Sequence, residues 1–240
     1  MQNRYAGDVG DFGKLGLLRQ IARSELGIGV NWYLTPDENH NADGKHIGYT
    51  TDPRYTGCDN SLRNSLKAIV NSQRSVSALE TMNLIPNAVY YHEVLHSPSR
   101  TFSRRDWHIK ALEVLRCADI VFLDPDNSLL VKSVSAGSTK SNKYVIPNEI
   151  ADYFAAGKSV FIYNHRCREQ EPVYLQRFDW MHEDSILKNA VITGVTFKRG
   201  TVRDYIFALQ PSHAARIMEC VDNMLQSSWG NHFAKLDLSR

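Results

Sequence analysis

An α/β fold built on a mostly parallel sheet is predicted by three observations. Residues 28–34, 88–92, 119–123 and 158–163 are short apolar runs rich in β-branched or aromatic side chains, as strands buried on both faces are. Stretches of helical periodicity separate them. Residues 189–199 and 201–209 then alternate around Arg199-Gly200, the pattern of an antiparallel hairpin. Strand–helix alternation closing in a hairpin implies a sheet with both faces covered by helices.

In chain order, the first helix is expected over 11–25. It follows the glycine-rich GDVGDFGK, with Asp11 near its N-terminus, where a carboxylate complements the helix dipole. Strand 28–34 leads into a long polar loop, 35–57, and then into helices at 58–71 and 75–84. Strand 88–92 precedes a helix at 101–117, in which Trp107, Ala111, Val114 and Leu115 fall on one apolar stripe. After strand 119–123, the Ser/Lys-rich stretch 131–146 has the composition of a mobile lid. A helix over 147–156 and strand 158–163 lead to the hairpin. The last helix, 211–226, begins at Pro211-Ser212 and gathers Ala214, Ile217, Met218, Val221 and Leu225 on one face. No internal repeat is visible, and the chain reads as a single domain.

The 28 Lys+Arg balance 26 Asp+Glu to a net charge of +2, which excludes nucleic-acid or membrane binding through bulk charge. Cys58, Cys117, Cys167 and Cys220 have neither the spacing of zinc ligands nor that of a disulfide framework. They read as free thiols of a reducing compartment. Residues 1–14 carry acids and no apolar stretch of a secretory signal, and no apolar run is long enough to span a bilayer. A cytoplasmic protein with no membrane segment is expected.

In open α/β sheets, ligands sit beyond the carboxyl ends of the strands. The groups found there are Asp37, His40, Asp43, Lys45 and His46 after the first strand, and Glu93 after the second. Asp124-Pro125-Asp126-Asn127 follow the third, and His165 the fourth. Asp124 ends an apolar strand, so it is expected to be partly buried and to need a partner. Two motif readings fail on spacing. Gly7 to Gly13-Lys14 is one residue too long for a phosphate loop and lacks its Ser/Thr. Asp37 with Asp43-x-Lys45 is too short for a nuclease motif that draws on two strands.

Several segments match motifs of one family. Ala6-Gly7-Asp8, followed by Asp11 and Lys14, matches an AGN-x-x-D-x-x-K pattern with Asp in place of Asn. Tyr33-Leu34-Thr35-Pro36-Asp37 stands where a YLDTHAG-like strand end is found. Ser75 lies at a helix start, Glu93 closes the next strand, and Asp124-Pro125-Asp126-Asn127 takes the place of a DPPY-type motif. On these residues the chain resembles the class I S-adenosylmethionine-dependent methyltransferases, in particular the bacterial ribosomal-RNA adenine-N6 methyltransferases with a helical insertion after the first strand. The resemblance runs over roughly residues 3–210. It implies a Rossmann-like methyltransferase fold over 1–240, with a helical insertion at about 50–86. It also implies S-adenosylmethionine as cofactor, with the ribose on Glu93, the amino-acid part near Asp37 and Lys14, and the adenosine beside Ser75. Asp124 and Asn127 would take the catalytic positions, facing a nucleic-acid or nucleotide-like acceptor.

Two departures stand out: no glycine follows the first strand until Gly44, and Asn127 replaces the aromatic on which a base would stack. Two further readings stay open. One is a metal-dependent nuclease or phosphoesterase using Asp37, Asp124 and Asp126, with His165 as a further ligand. The other is a catalytically inactive binding module of the same fold. A nucleic-acid partner would find Arg100, Arg104, Arg105 and Lys110 at a helix start. Lys198, Arg199 and Arg203 lie at the hairpin tip, and Lys132, Lys140 and Lys143 beside the acidic motif.

Overall fold

The computed structural model describes residues 1–38, 44–97, 99 and 102–238. Its strands are β1 (Ile28–Asn31), β2 (Val89–Tyr91), β3 (Ile120–Leu123), β4 (Ser128–Leu129), β5 (Tyr144–Val145), β6 (Ser159–His165), β7 (Val191–Arg199), β8 (Thr201–Leu209) and β9 (Phe233–Leu236). Its α-helices are α1 (Val9–Ile21), α2 (Asn60–Val70), α3 (Val76–Thr81), α4 (Arg104–Val114), α5 (Pro147–Ala155), α6 (Glu171–Leu175), α7 (Trp180–Glu183) and α8 (Pro211–Gln226). None of the helices among the described residues is long and apolar enough to cross a membrane.

Seven strands form one sheet in the order β2-β1-β3-β6-β8-β7-β9. β1, β2, β3 and β6 are parallel. β8 enters antiparallel between β6 and its own hairpin partner β7, and β9 adds an antiparallel edge. Since β7 reverses β8, it points the same way as the parallel four. The result is the Rossmann-like α/β sheet that the strand–helix alternation implies, with antiparallel strands at its C-terminal side.

Alternate residues of each strand feed two cores. Val30, Phe122, Phe161, Tyr205 and Phe207 pack under α1, α2, α3 and α8. Val121, Leu123, Val160, Ile162 and Ile206 pack under α4, α5, α6 and α7. Burial on both faces explains why these strands read as continuous apolar runs.

Helix α1 positions the site. Asp8 caps it by accepting from Asp11 N at 3.0 Å, and the Asp11 carboxylate accepts in return from Gly7 N at 2.8 Å. Gly10, Gly13 and Gly16 recur every three residues on the face turned to the sheet. A Cβ on Gly13 would lie 2.9 Å from the Phe197 ring, and one on Gly16 would run into the Trp229 indole. The glycines therefore let the helix axis approach the sheet closely, and that approach buries Lys14.

Three expectations need correction. The first strand pairs only to Asn31, and Tyr33, at φ 45°, turns the chain out of the sheet. Val114 leaves the apolar stripe of α4 and is 44% exposed. The stretch 131–146 is not the open segment that its composition suggests. Thr139–Lys143 form a 3-10 turn, β5 pairs with β4, and Ser141 and Asn142 are buried. The Asn142 amide donates to Leu95 O at 3.2 Å and to His96 O at 2.9 Å. Ser141 and Asn142 thus satisfy backbone groups, while Lys132, Ser133, Ser135, Thr139 and Lys140 are exposed.

Candidate functional site

The carboxyl ends of β1, β3 and β6 and the start of β8 meet over the N-terminus of α1. They surround a cavity of about 300 Å³ that includes Asp8, Asp11, Lys14, His46, Asp124, Asn127, Tyr163, His165 and Arg203 in its lining. The chain runs from β1 to β2 on one side and returns to β3 on the other. The cavity therefore borders the point at which strand order reverses, the usual ligand crevice of such sheets.

At its floor, Lys14 Nζ donates to Asp124 Oδ2 at 2.6 Å and sits 2.9 Å from Asp11 Oδ1, with all three side chains buried. The Trp32 ring lies 5.3 Å from the ammonium. Burial opposes a charge on Lys14, but the two carboxylates outweigh it and hold the ammonium well above its ordinary range. Burial pushes the Asp124 carboxyl up, and Lys14 with the Met1 amine pulls it back. Two short ionic contacts on one ammonium make this a charged pair. The partner that the apolar strand demanded for Asp124 is Lys14.

Asp126 belongs to the same loop. It takes a 2.6 Å ion pair from the Met1 amine, a 2.7 Å hydrogen bond from Gln2 and a 3.2 Å one from Thr35. Burial works against its charge, yet the amine, with Gln2 and Lys143, holds Asp126 below the usual carboxylate range. The Met1 amine also donates to Tyr33 O at 2.9 Å, so Met1 lies in the crevice between the ends of β1 and β3. Asn127 is held through its backbone: its N donates to Lys143 O and its O accepts from His165 N at 2.7 Å.

The remaining sequence candidates lie apart from this cavity. Asp37 is exposed and accepts from Arg4 N at 3.4 Å. Ser75 caps α3 through Ala78 N at 3.1 Å. Glu93 is exposed beyond β2 and pairs with Lys110 at 3.3 Å. His40, Asp43 and Arg100 lie outside the described residues. Among the basic candidates, Arg104 is engaged with Glu149 at 2.7 Å and with the carbonyls of Ser141 and Tyr144. Lys143 pairs with Glu38 at 2.6 Å, and Arg199 donates to His232 at 2.7 Å. Lys132, Lys140, Arg105 and Lys198 are exposed. Among the described residues, no group of three His, Cys, Asp or Glu side chains is placed to hold a metal ion.

Arg203, Tyr163 and Thr201 are cavity residues that the motif search missed as such. The signal was present in the alternation of β8, where Thr201, Arg203, Tyr205 and Phe207 share one face. Two inward aromatics on that face mark Arg203 as inward too. Burial pushes the Tyr163 hydroxyl up to about 12. No family model matches the chain, and no curated protein matches it.

Proposed function

We propose that the chain is a methyltransferase-like enzyme that transfers a methyl group from S-adenosylmethionine to a nucleic-acid or nucleotide-like acceptor. The observation that carries this reading is Asp124, fixed by Lys14 at the end of β3 beside the reversal of strand order, with Asn127 and Tyr163 on the same cavity. The cofactor, when bound, supplies an already activated methyl group on a sulfonium. The protein's share is then proximity and electrostatic positioning. Asp124 keeps lone pairs for an acceptor N–H, the Asn127 amide offers both a donor and an acceptor, and the Tyr163 ring gives a base a flat surface.

The residues proposed for the cofactor fit in part. The Glu93 carboxylate is exposed beyond β2 and suits a ribose diol, and Asp37 is exposed beyond β1. Ser75 is committed to its cap, and Met1 with Gln2 occupies the crevice that a glycine turn would otherwise open. Calorimetric titration with S-adenosylmethionine and S-adenosylhomocysteine, with and without magnesium, tests the reading. Metal-independent binding in the micromolar range, weakened by Glu93→Ala, is expected. No heat from either ligand would overturn it, and with a silent magnesium titration would leave the inactive binding module in its place.

A further inference from the structure

The cavity has a second wall of opposite character. His165 on β6 and Arg203 on β8 are directly paired across the antiparallel ladder, so their side chains stand side by side on one face. Tyr163 and Thr201, each two residues away, share that face. Gly200 at the hairpin tip brings in a third group, since a Cβ there would lie 3.7 Å from the His46 ring and 3.9 Å from Arg203 Nη1. Two imidazoles, a guanidinium and two hydroxyls thus line the cavity together with Asp124 and Asn127.

On this wall the Arg203 guanidinium hydrogen-bonds the Tyr163 side chain. Arg203 is 5% exposed, and its Nη1 donates to Arg199 O at 2.9 Å and Thr201 O at 3.2 Å. Asp8 lies 3.8 Å from its Nη2, beyond hydrogen-bond reach. The Thr201 hydroxyl oxygen is buried without a partner among the described residues, a cost that a bound acceptor or donor would remove. The start of α1 lies directly beneath, with the Gly10 Cβ position 2.8 Å from Arg203 Nε, and adds the partial positive charge of a helix N-terminus.

We infer that this wall binds the phosphate ester of a nucleotide, whose base reaches across the cavity to Asp124 and Asn127. The inference rests on the proposed nucleotide-like acceptor and narrows it to one that carries phosphate. A guanidinium fork flanked by imidazoles suits phosphate oxygens. A volume of about 300 Å³ lies at the small end of small-molecule sites. The wall stands on β6 and β8, on the far side of β3 from β1 and β2.

The test is titration of the full chain with adenosine, with adenosine monophosphate and with inorganic phosphate, for the wild type and a His46→Gln/Thr201→Val variant. Arg203 is left intact because it also holds the hairpin-tip carbonyls. The nucleotide is expected to bind at least about tenfold more tightly than the nucleoside, the worth of a hydrogen bond to a charged group, and the variant should show a clearly smaller advantage at unchanged Tm. Equal affinity for nucleoside and nucleotide in the wild type, or an advantage undiminished in the variant, would overturn the inference. Should the variant fold poorly, phosphorus NMR on the wild type decides: inorganic phosphate broadened by the protein and released by the nucleotide supports the wall, and an unperturbed signal overturns it. A short single-stranded oligonucleotide in the same titration locates the source. Tighter binding than the mononucleotide assigns the phosphate to a strand, and equal binding to a free nucleotide. S-adenosylmethionine binding with no nucleotide preference would sink this inference alone. Nucleotide preference without S-adenosylmethionine binding would sink only the methyl-transfer reading.

Discussion

Lys14 shows what the sequence states about a residue and what it withholds. That Asp124 needs a partner is legible, because an acid ends an apolar strand. That the partner lies 110 residues earlier is not, since only the packing of α1 against the sheet brings them together. Removing the ammonium leaves two buried carboxylates facing each other. Lys14→Met is therefore expected to cost roughly 3–5 kcal/mol in chemical denaturation. Asp124→Asn should cost less, because Asp11 still holds Lys14 at 2.9 Å. Equal losses would mean that the two contacts are not shared on one ammonium. Asp8 carries a different strain, since burial and the neighbouring Asp11 hold its carboxyl above the usual range. A raised folded-state pKa contributes stability below the ordinary carboxylate value and loses it as pH rises through the raised one. Asn caps a helix as well as Asp does. Asp8→Asn should then raise Tm at neutral pH, with the gain shrinking as pH falls and vanishing below the ordinary carboxylate value of about 3.9, where Asp8 is protonated in both states. A lower Tm at neutral pH would show that the Arg203 contact dominates instead.

At the level of elements, most helices and strands were legible because their periodicity is set by burial, which also drives folding. α2, α5, β7, β8 and α8 lie within a few residues of their predicted spans. The short elements escaped, among them α6, α7, β4 and β9. β9 is four residues long, too short to display alternation, and Ser141 and Asn142 are buried although polar because their side chains bond to backbone. The glycines of α1 suggested a turn, whereas their purpose is close approach. Gly16→Ala tests this: helix propensity alone predicts a gain of about 1 kcal/mol. Displacement of Trp229 predicts a net loss of about 1–3 kcal/mol, which is the outcome expected in urea denaturation. Gly137 has nothing within 4 Å of its Cβ position, so Gly137→Ala should be neutral or stabilising by up to about 1 kcal/mol in the same assay. A gain at both sites would refute the packing account.

Across the whole molecule, fold class was readable while strand order was not, because alternation reports burial but not neighbours. The insertion of β8 between β6 and β7 is what turns Arg203 from a surface charge into a cavity residue. It also sends the next residue, Asp204, to the opposite face. There Arg166 grips it at 2.8 and 2.9 Å, and the Tyr174 and Thr196 hydroxyls donate to it at 2.7 and 2.6 Å. Each face of β8 thus carries a buried ionic contact.

The seating of α1 beneath the hairpin also has a kinetic meaning. Asp8 and Arg203 meet from opposite ends of the chain, and contacts so distant in sequence form slowly. The β7–β8 hairpin is local and forms far sooner. In pulsed hydrogen exchange during refolding, the amides of Phe12 to Leu18 should therefore gain protection after those of β7 and β8. The cavity would then be the last part of the molecule to exist, present only in chains that have finished folding.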